Sequence, residues 1–93
     1  MVVRLRVFGV LSQYMGGIHQ AVDLPAGATL GDLLAEIGRR WGEALPEQLW
    51  VAEGAGRFRG AVILRAGGSD LHDLGAPLPE GQEVAILMPM AGG

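Results

Sequence analysis

The sequence predicts a small α+β domain, a mixed sheet of four or five strands with one main helix packed on one face. Its 93 residues suit a single domain, and a hydrophobic content of 49% is enough to form a core. The first and last apolar segments have strand character, whereas only one long segment has helical periodicity. A single helix of that length covers one face of such a sheet.

The N-terminal quarter reads as a hairpin. From residue 2 to residue 8, Val3, Leu5 and Val7 alternate with Arg4 and Arg6, which is the pattern of a half-buried strand. A short helical turn is expected over residues 10–15, followed by Gly16-Gly17. A second alternating strand is expected over residues 18–24, which would return beside the first.

The sequence predicts a helix from Leu30 to Trp41. Thr29 is the expected N-cap, with Asp32 completing a capping box, and apolar residues recur at helical spacing. Arg39 and Arg40 fall in the last turn, where cations suit the helix dipole. Gly42 is the expected C′ residue, at which the helix stops.

The second half predicts shorter elements. We expect a helical turn over residues 46–50, a glycine-rich loop over 52–60, a central strand over 61–64, a short strand or turn over 71–74 and a last strand over 83–88. The first and last strands suit adjacent central positions, with parallel pairing reached through the helix crossover. That arrangement is the β-grasp, or ubiquitin-like, architecture.

Composition excludes several classes of function. The seven cationic residues are all arginine and the net charge is −3, which argues against nucleic acid as the main partner. The absence of cysteine excludes a thiolate nucleophile, and the chain has no lysine for isopeptide linkage. His19 and His72 lack neighbouring ligands, so no metal site is expected. No membrane span or signal peptide is expected either, which favours a cytoplasmic protein.

The end of the sequence carries the strongest functional signal. The last strand runs into Pro89, and only small or unbranched residues follow it, Met90, Ala91, Gly92 and Gly93. We expect a β-grasp domain over residues 1–88 and a flexible Gly-Gly tail over residues 89–93. Glycine at the last two positions would let a reacting carboxylate pass through a narrow channel in a partner enzyme.

The segment from Glu80 to Gly93, EGQEVAILMPMAGG, resembles the C-terminal signature of the molybdopterin synthase small subunit and related sulfur carriers. The resemblance extends over the whole chain, including the first strand and the helix start at Thr29. It departs at Met88, where the family has the first proline of a pair, and at residues 66–68, where the family has an Asn-Gly turn.

The resemblance implies a particular chemistry. An adenylating, E1-like activating enzyme would consume ATP to activate the Gly93 carboxylate, and a sulfurtransferase or desulfurase would then supply sulfur for a C-terminal thiocarboxylate. The tail, Pro89 to Gly92, would thread into the large subunit of a heterotetrameric molybdopterin synthase during molybdenum cofactor biosynthesis. The chain would bind no cofactor and catalyse nothing alone, as a group carrier does.

Two outward-facing apolar residues are expected to form a docking patch. Phe8 shares its parity with Arg4 and Arg6, and Leu87 shares its parity with Glu83, so both point away from the helix. An exposed apolar patch marks a partner surface, although scattered surface residues give the same pattern. The family docks its partners through positions that match Phe8 and Leu87, with Leu71 as a third member.

Other functions remain open from the sequence. The same sulfur chemistry could serve thiazole formation for thiamine or the thiolation of tRNA. A protein of another class, a ubiquitin-like modifier conjugated to lysines of other proteins, would have a similar fold and tail. The Pro-x-Ala-Gly-Gly ending favours the molybdopterin acceptor.

Overall fold

The computed structural model describes residues 1–54 and 56–88, so the predicted tail of residues 89–93 lies outside the described residues. The elements in chain order are β1 (Val2–Val7), α1 (Leu11–Tyr14), β2 (His19–Asp23), α2 (Leu30–Trp41), β3 (Trp50–Val51), β4 (Arg57–Phe58), β5 (Ile63–Ala66), β6 (Ser69–Leu71) and β7 (Val84–Leu87).

Five of these strands form a mixed sheet in the order β2-β1-β7-β5-β6. The N-terminal and C-terminal strands, β1 and β7, are central neighbours and run parallel, whereas the other pairs are antiparallel. A parallel pair requires a crossover, and the intervening segment supplies it with α2. The structure therefore confirms the predicted β-grasp architecture.

The core lies between one face of this sheet and α2. Val3, Leu5 and Val7 of β1 are buried, and they alternate with exposed residues. Leu33 and Ile37 of α2 are fully buried in the same cluster. Burying each such side chain stabilises the fold by about 1.5–3 kcal/mol.

The helix α2 starts and ends at the predicted residues. The amide of Asp32 donates to the Thr29 hydroxyl at 3.2 Å and the amide of Thr29 donates to the Asp32 carboxylate at 2.9 Å, which forms a capping box. Gly42 follows the helix with φ of −56°, and its amide still donates to the Gly38 carbonyl. The helix therefore stops at Gly42 as predicted, but with right-handed rather than left-handed backbone at Gly42, because the chain continues into a further turn closed on the Trp41 carbonyl.

Strand β5 and strand β6 are both displaced from their predicted positions. A turn closed by the Val62 amide and the Arg59 carbonyl delays the start of β5 to Ile63. Gly67 and Gly68 have φ of 59° and 82°, the positive values that a tight two-residue hairpin requires. That hairpin makes β6 begin at Ser69 rather than at Leu71.

A small hairpin that the sequence does not predict begins before the glycine-rich loop, because Trp50, expected in a helical turn over residues 46–50, starts strand β3. Strands β3 and β4 pair, and the rings of Trp50 and Phe58 meet edge to face with centroids 4.8 Å apart. A Cβ on Gly56 would lie 2.3 Å from the Trp50 ring, so the close approach requires glycine there. The Trp50–Phe58 pair therefore organises the two ends of this segment.

Candidate partner-docking face

The sheet face away from α2 carries a row of three apolar side chains, Phe8, Leu87 and Ile63, called the apolar row below. Val7 of β1 is opposite Ile86 of β7, and the Phe8 amide donates to the Ile86 carbonyl at 3.0 Å. This register places Phe8 beside Leu87. In the antiparallel pair on the other side, Leu87 is opposite Ile63.

The alternation of burial assigns the apolar row to the outer face. Val7, Ile86 and Leu64 precede or follow its members, and all three are buried in the core cluster that includes residues of α2. Because successive side chains of a strand point to opposite faces, the members of the apolar row point away from the core. Phe8 is 44% exposed, and Leu87 and Ile63 are half-buried.

Sequence reasoning found Phe8 and Leu87 but missed Ile63. Residues 61–64 are uniformly apolar, so their sequence predicts a central strand but does not show which alternate side chains face outward. The pairing of β5 with β7 supplies the missing information, because it fixes which alternate residues of β5 share the outer face with Leu87.

The predicted third member of the patch, Leu71, lies on the opposite face of the sheet. It is the pairing partner of the buried Leu64, and residues directly opposite one another share a face. Leu71 also packs against the core cluster. The register thus removes Leu71 from the docking patch.

Charged residues border the apolar row. Ala85 lies two residues before Leu87 on the same face of β7, between Arg6 of β1 and Arg65 of β5. Arg6 pairs with Glu83 at 3.1 Å, and Arg65 pairs with Asp70 at 2.8 Å. These pairs are partly exposed and add little stability, but they give the apolar row a polar border, as partner interfaces have.

A groove of about 510 Å³ extends the face beyond Phe8 toward β2. Phe8, Gly9, Ser12 and Ile18 contribute to its lining, and Ile18 is 53% exposed. Arg6 and His19 also line the groove, so it adds a concavity of mixed polar and apolar character beside Phe8.

The residues predicted to carry the chemistry lie outside the described residues. These are Gly93 and the preceding tail residues, Pro89, Met90, Ala91 and Gly92. The described chain reaches Met88, one residue beyond β7, and Met88 packs against the core. The chain thus leaves the sheet immediately after Leu87, a member of the apolar row.

The titratable residues of the described chain are scattered over its surface and turns. No group of three or more histidine, cysteine, aspartate or glutamate side chains that could hold a metal is present in residues 1–54 and 56–88. Near His72, the Asp73 carboxylate accepts a hydrogen bond from the Gly75 amide at 3.0 Å, which is a turn contact. The pKa of Glu36 is lowered, chiefly by its hydrogen bond with Arg39 on the surface of α2.

Comparison with known proteins places the chain in a family. The family model described as ThiS family matches residues 5–93. The chain belongs to the ThiS family. No curated protein matches it. None of the helices among the described residues is long and apolar enough to cross a membrane.

Solved structures share the ThiS family fold of this chain. SAMP1 from Haloferax volcanii is 24% identical, with a TM-score of 0.77 and full coverage of both chains. A Pyrococcus furiosus protein provisionally assigned as molybdopterin converting factor subunit 1 is 20% identical, with a TM-score of 0.71 over 97% of this chain and 99% of that one. In a Helicobacter pylori complex of molybdopterin-converting factor subunits 1 and 2, the matching chain is 22% identical, with a TM-score of 0.64 and full coverage of both.

Proposed function

We propose that this ThiS family member is a sulfur carrier that acts as the small subunit of molybdopterin synthase. Its Gly93 carboxylate would be adenylated, converted to a thiocarboxylate and delivered to a large subunit that transfers the sulfur to a pterin precursor. The observation that carries the proposal is the apolar row on the outer face, next to the point where the chain leaves β7.

The position of the apolar row supports delivery of the tail to a partner enzyme. A docking surface beside the end of β7 fixes the start of residues 89–93 against the partner. Five extended residues reach roughly 17 Å, which is enough to enter a buried active site from a surface contact. The Helicobacter pylori neighbour is solved in complex with subunit 2 of its converting factor, which favours a large-subunit partner for this chain.

The composition supports sulfur held on the main-chain terminus. The chain has no cysteine, so it offers no side-chain thiol for a persulfide. An oxygen of the Gly93 carboxylate would attack the α-phosphorus of ATP and release pyrophosphate. The terminal sulfur of a donor persulfide would then attack the acyl-adenylate carbonyl and displace AMP, which gives an acyl disulfide. A thiol of the partner system would reduce that S–S bond and release the thiocarboxylate, with all steps catalysed by partner enzymes.

Intact mass spectrometry tests the carrier chemistry. The chain is incubated with an activating enzyme, ATP and a sulfur donor, beside a matched variant that lacks Gly92 and Gly93. The full chain is expected to gain the mass difference between one sulfur and one oxygen atom, and the truncated variant is expected to gain nothing. An unchanged mass of the full chain, under conditions that load a known carrier, would contradict the proposal.

A second candidate function is that of a ubiquitin-like modifier. The similarity to SAMP1 from Haloferax volcanii, which covers both chains fully, favours this function. A second similar structure is described as H. volcanii small archaeal modifier protein 1. The same acyl-adenylate would then pass to a lysine ε-amine of another protein. Because this chain has no lysine, conjugates could not be extended as lysine-linked chains. Immunoblots of tagged chain in native cells would show discrete adducts that disappear when Gly92 and Gly93 are deleted.

A further inference from the structure

Strand β2 is one edge of the five-stranded sheet, and its outward backbone groups are defined by its pairing with β1. The Leu24 amide donates to the Met1 carbonyl at 2.9 Å, and the Val7 amide donates to the Ile18 carbonyl at 2.7 Å. Hydrogen-bonded positions alternate along an antiparallel strand. The amides and carbonyls of His19, Ala21 and Asp23 therefore point away from β1, toward the open edge.

A single arginine from α2 covers the middle of this edge. The Nη1 atom of Arg40 donates to the Ala21 carbonyl at 2.7 Å, and its guanidinium lies 4.6 Å from the centroid of the Trp41 ring. Charged side chains over an open strand edge are a common way to prevent pairing with another chain. The adjacent Arg39 instead bonds to Glu36 on the helix surface.

The open edge of β2 is complementary to itself. In an antiparallel pair of two β2 strands centred on Ala21, His19 of each copy is directly opposite Asp23 of the other. The three side chains share one sheet face, and directly opposed residues lie close enough for an imidazole N–H to donate to a carboxylate. A shift of register that centres the pair on Asp23 would place two carboxylates opposite each other. The charges therefore favour the pairing centred on Ala21 over the pairing centred on Asp23.

We propose that Arg40 closes the edge of β2, and that the uncovered edge pairs with the β2 edge of a second copy of this chain. Each copy would offer the backbone groups of His19, Ala21 and Asp23 to the other. The apolar row lies on β1, β7 and β5, so it remains accessible in such a dimer. The inference is therefore independent of the proposed sulfur-carrier function.

Sedimentation equilibrium of purified full chain tests the role of Arg40. Wild type and the matched control Arg39→Ala are expected to remain monomeric. Arg40→Ala is expected to dimerise, with a dimer dissociation constant at least about tenfold lower than that of wild type. Circular dichroism checks that all three are folded. A monomeric Arg40→Ala variant over the same concentrations, or a wild type that dimerises equally well, would overturn the proposal.

A charge swap tests the pairing register. In the Arg40→Ala background, His19→Asp would oppose two carboxylates across the interface and is expected to restore the monomer. Adding Asp23→His to that variant exchanges the two groups and is expected to restore the dimer. Dimerisation that is indifferent to both changes would show that the copies associate through another surface.

Discussion

Replacing Phe8 with aspartate is the sharpest test of the docking face. Phe8 lies at one end of the apolar row and is largely supported by backbone pairing with β7 rather than by the core. The substitution should therefore weaken partner binding and leave the domain folded. Val2→Asp is a matched control, since Val2 lies on the same face of β1, is 67% exposed and is at the far end of the strand from the apolar row.

The size of the expected effect follows from the exposure of Phe8. A phenylalanine side chain buries on the order of 200 Å² when fully covered, so a 44% exposed ring offers a partner about 90 Å². At about 25 cal/mol per Å², this area contributes about 2 kcal/mol, or about a 30-fold change in Kd. An aspartate also places a carboxylate in the contact, which costs further free energy unless the partner solvates it.

Isothermal titration calorimetry against the activating enzyme and against the molybdopterin synthase large subunit measures this change. The account predicts at least about a 30-fold weaker Kd for Phe8→Asp and little change for Val2→Asp. Chemical denaturation checks that Phe8→Asp is as stable as wild type. A folded Phe8→Asp variant that binds both partners with wild-type affinity would refute the assignment of this face.

Two further changes test the register and the helix start. Ile63→Asp is expected to weaken docking as Phe8→Asp does, whereas Leu71→Ala is expected to lower the free energy of unfolding without changing Kd; equal binding losses for both would contradict the assignment of their faces. Thr29→Ala should lower the free energy of unfolding by about 1 kcal/mol in urea titrations, because it removes the capping-box acceptor for the Asp32 amide. Ser69→Ala, in an edge strand, is its control, and an equal loss there would argue against a special role for the cap.

The elements with strong local signals were predictable from the sequence. The alternation of β1 and the capping box at Thr29 depend on neighbouring residues, and both are present as expected. Phe8 and Leu87 were also placed on the outer face by parity, because each follows directly from a strand with clear alternation.

The features that were missed depend on contacts between distant residues. The β3–β4 hairpin is held by the Trp50–Phe58 pair, and the sequence of the intervening glycine-rich segment does not predict that contact. Ile63 joins the apolar row only through the register of β5 against β7. The position of Arg40 in the last helical turn predicts a favourable interaction with the helix dipole. Its hydrogen bond to the Ala21 carbonyl is not predictable from the sequence, because it depends on which edge of the sheet lies beside the end of α2.

The most direct test of the central claim is a single-turnover sulfur transfer followed by intact mass spectrometry. Thiocarboxylated chain is mixed with a molybdopterin synthase large subunit and its pterin precursor, and the mass of the chain is followed. The account predicts that the sulfur mass is lost only when both are present and that the pterin gains sulfur. Sulfur that stays on the chain under these conditions, but is lost to a thiazole-forming or tRNA-thiolating system, would contradict it.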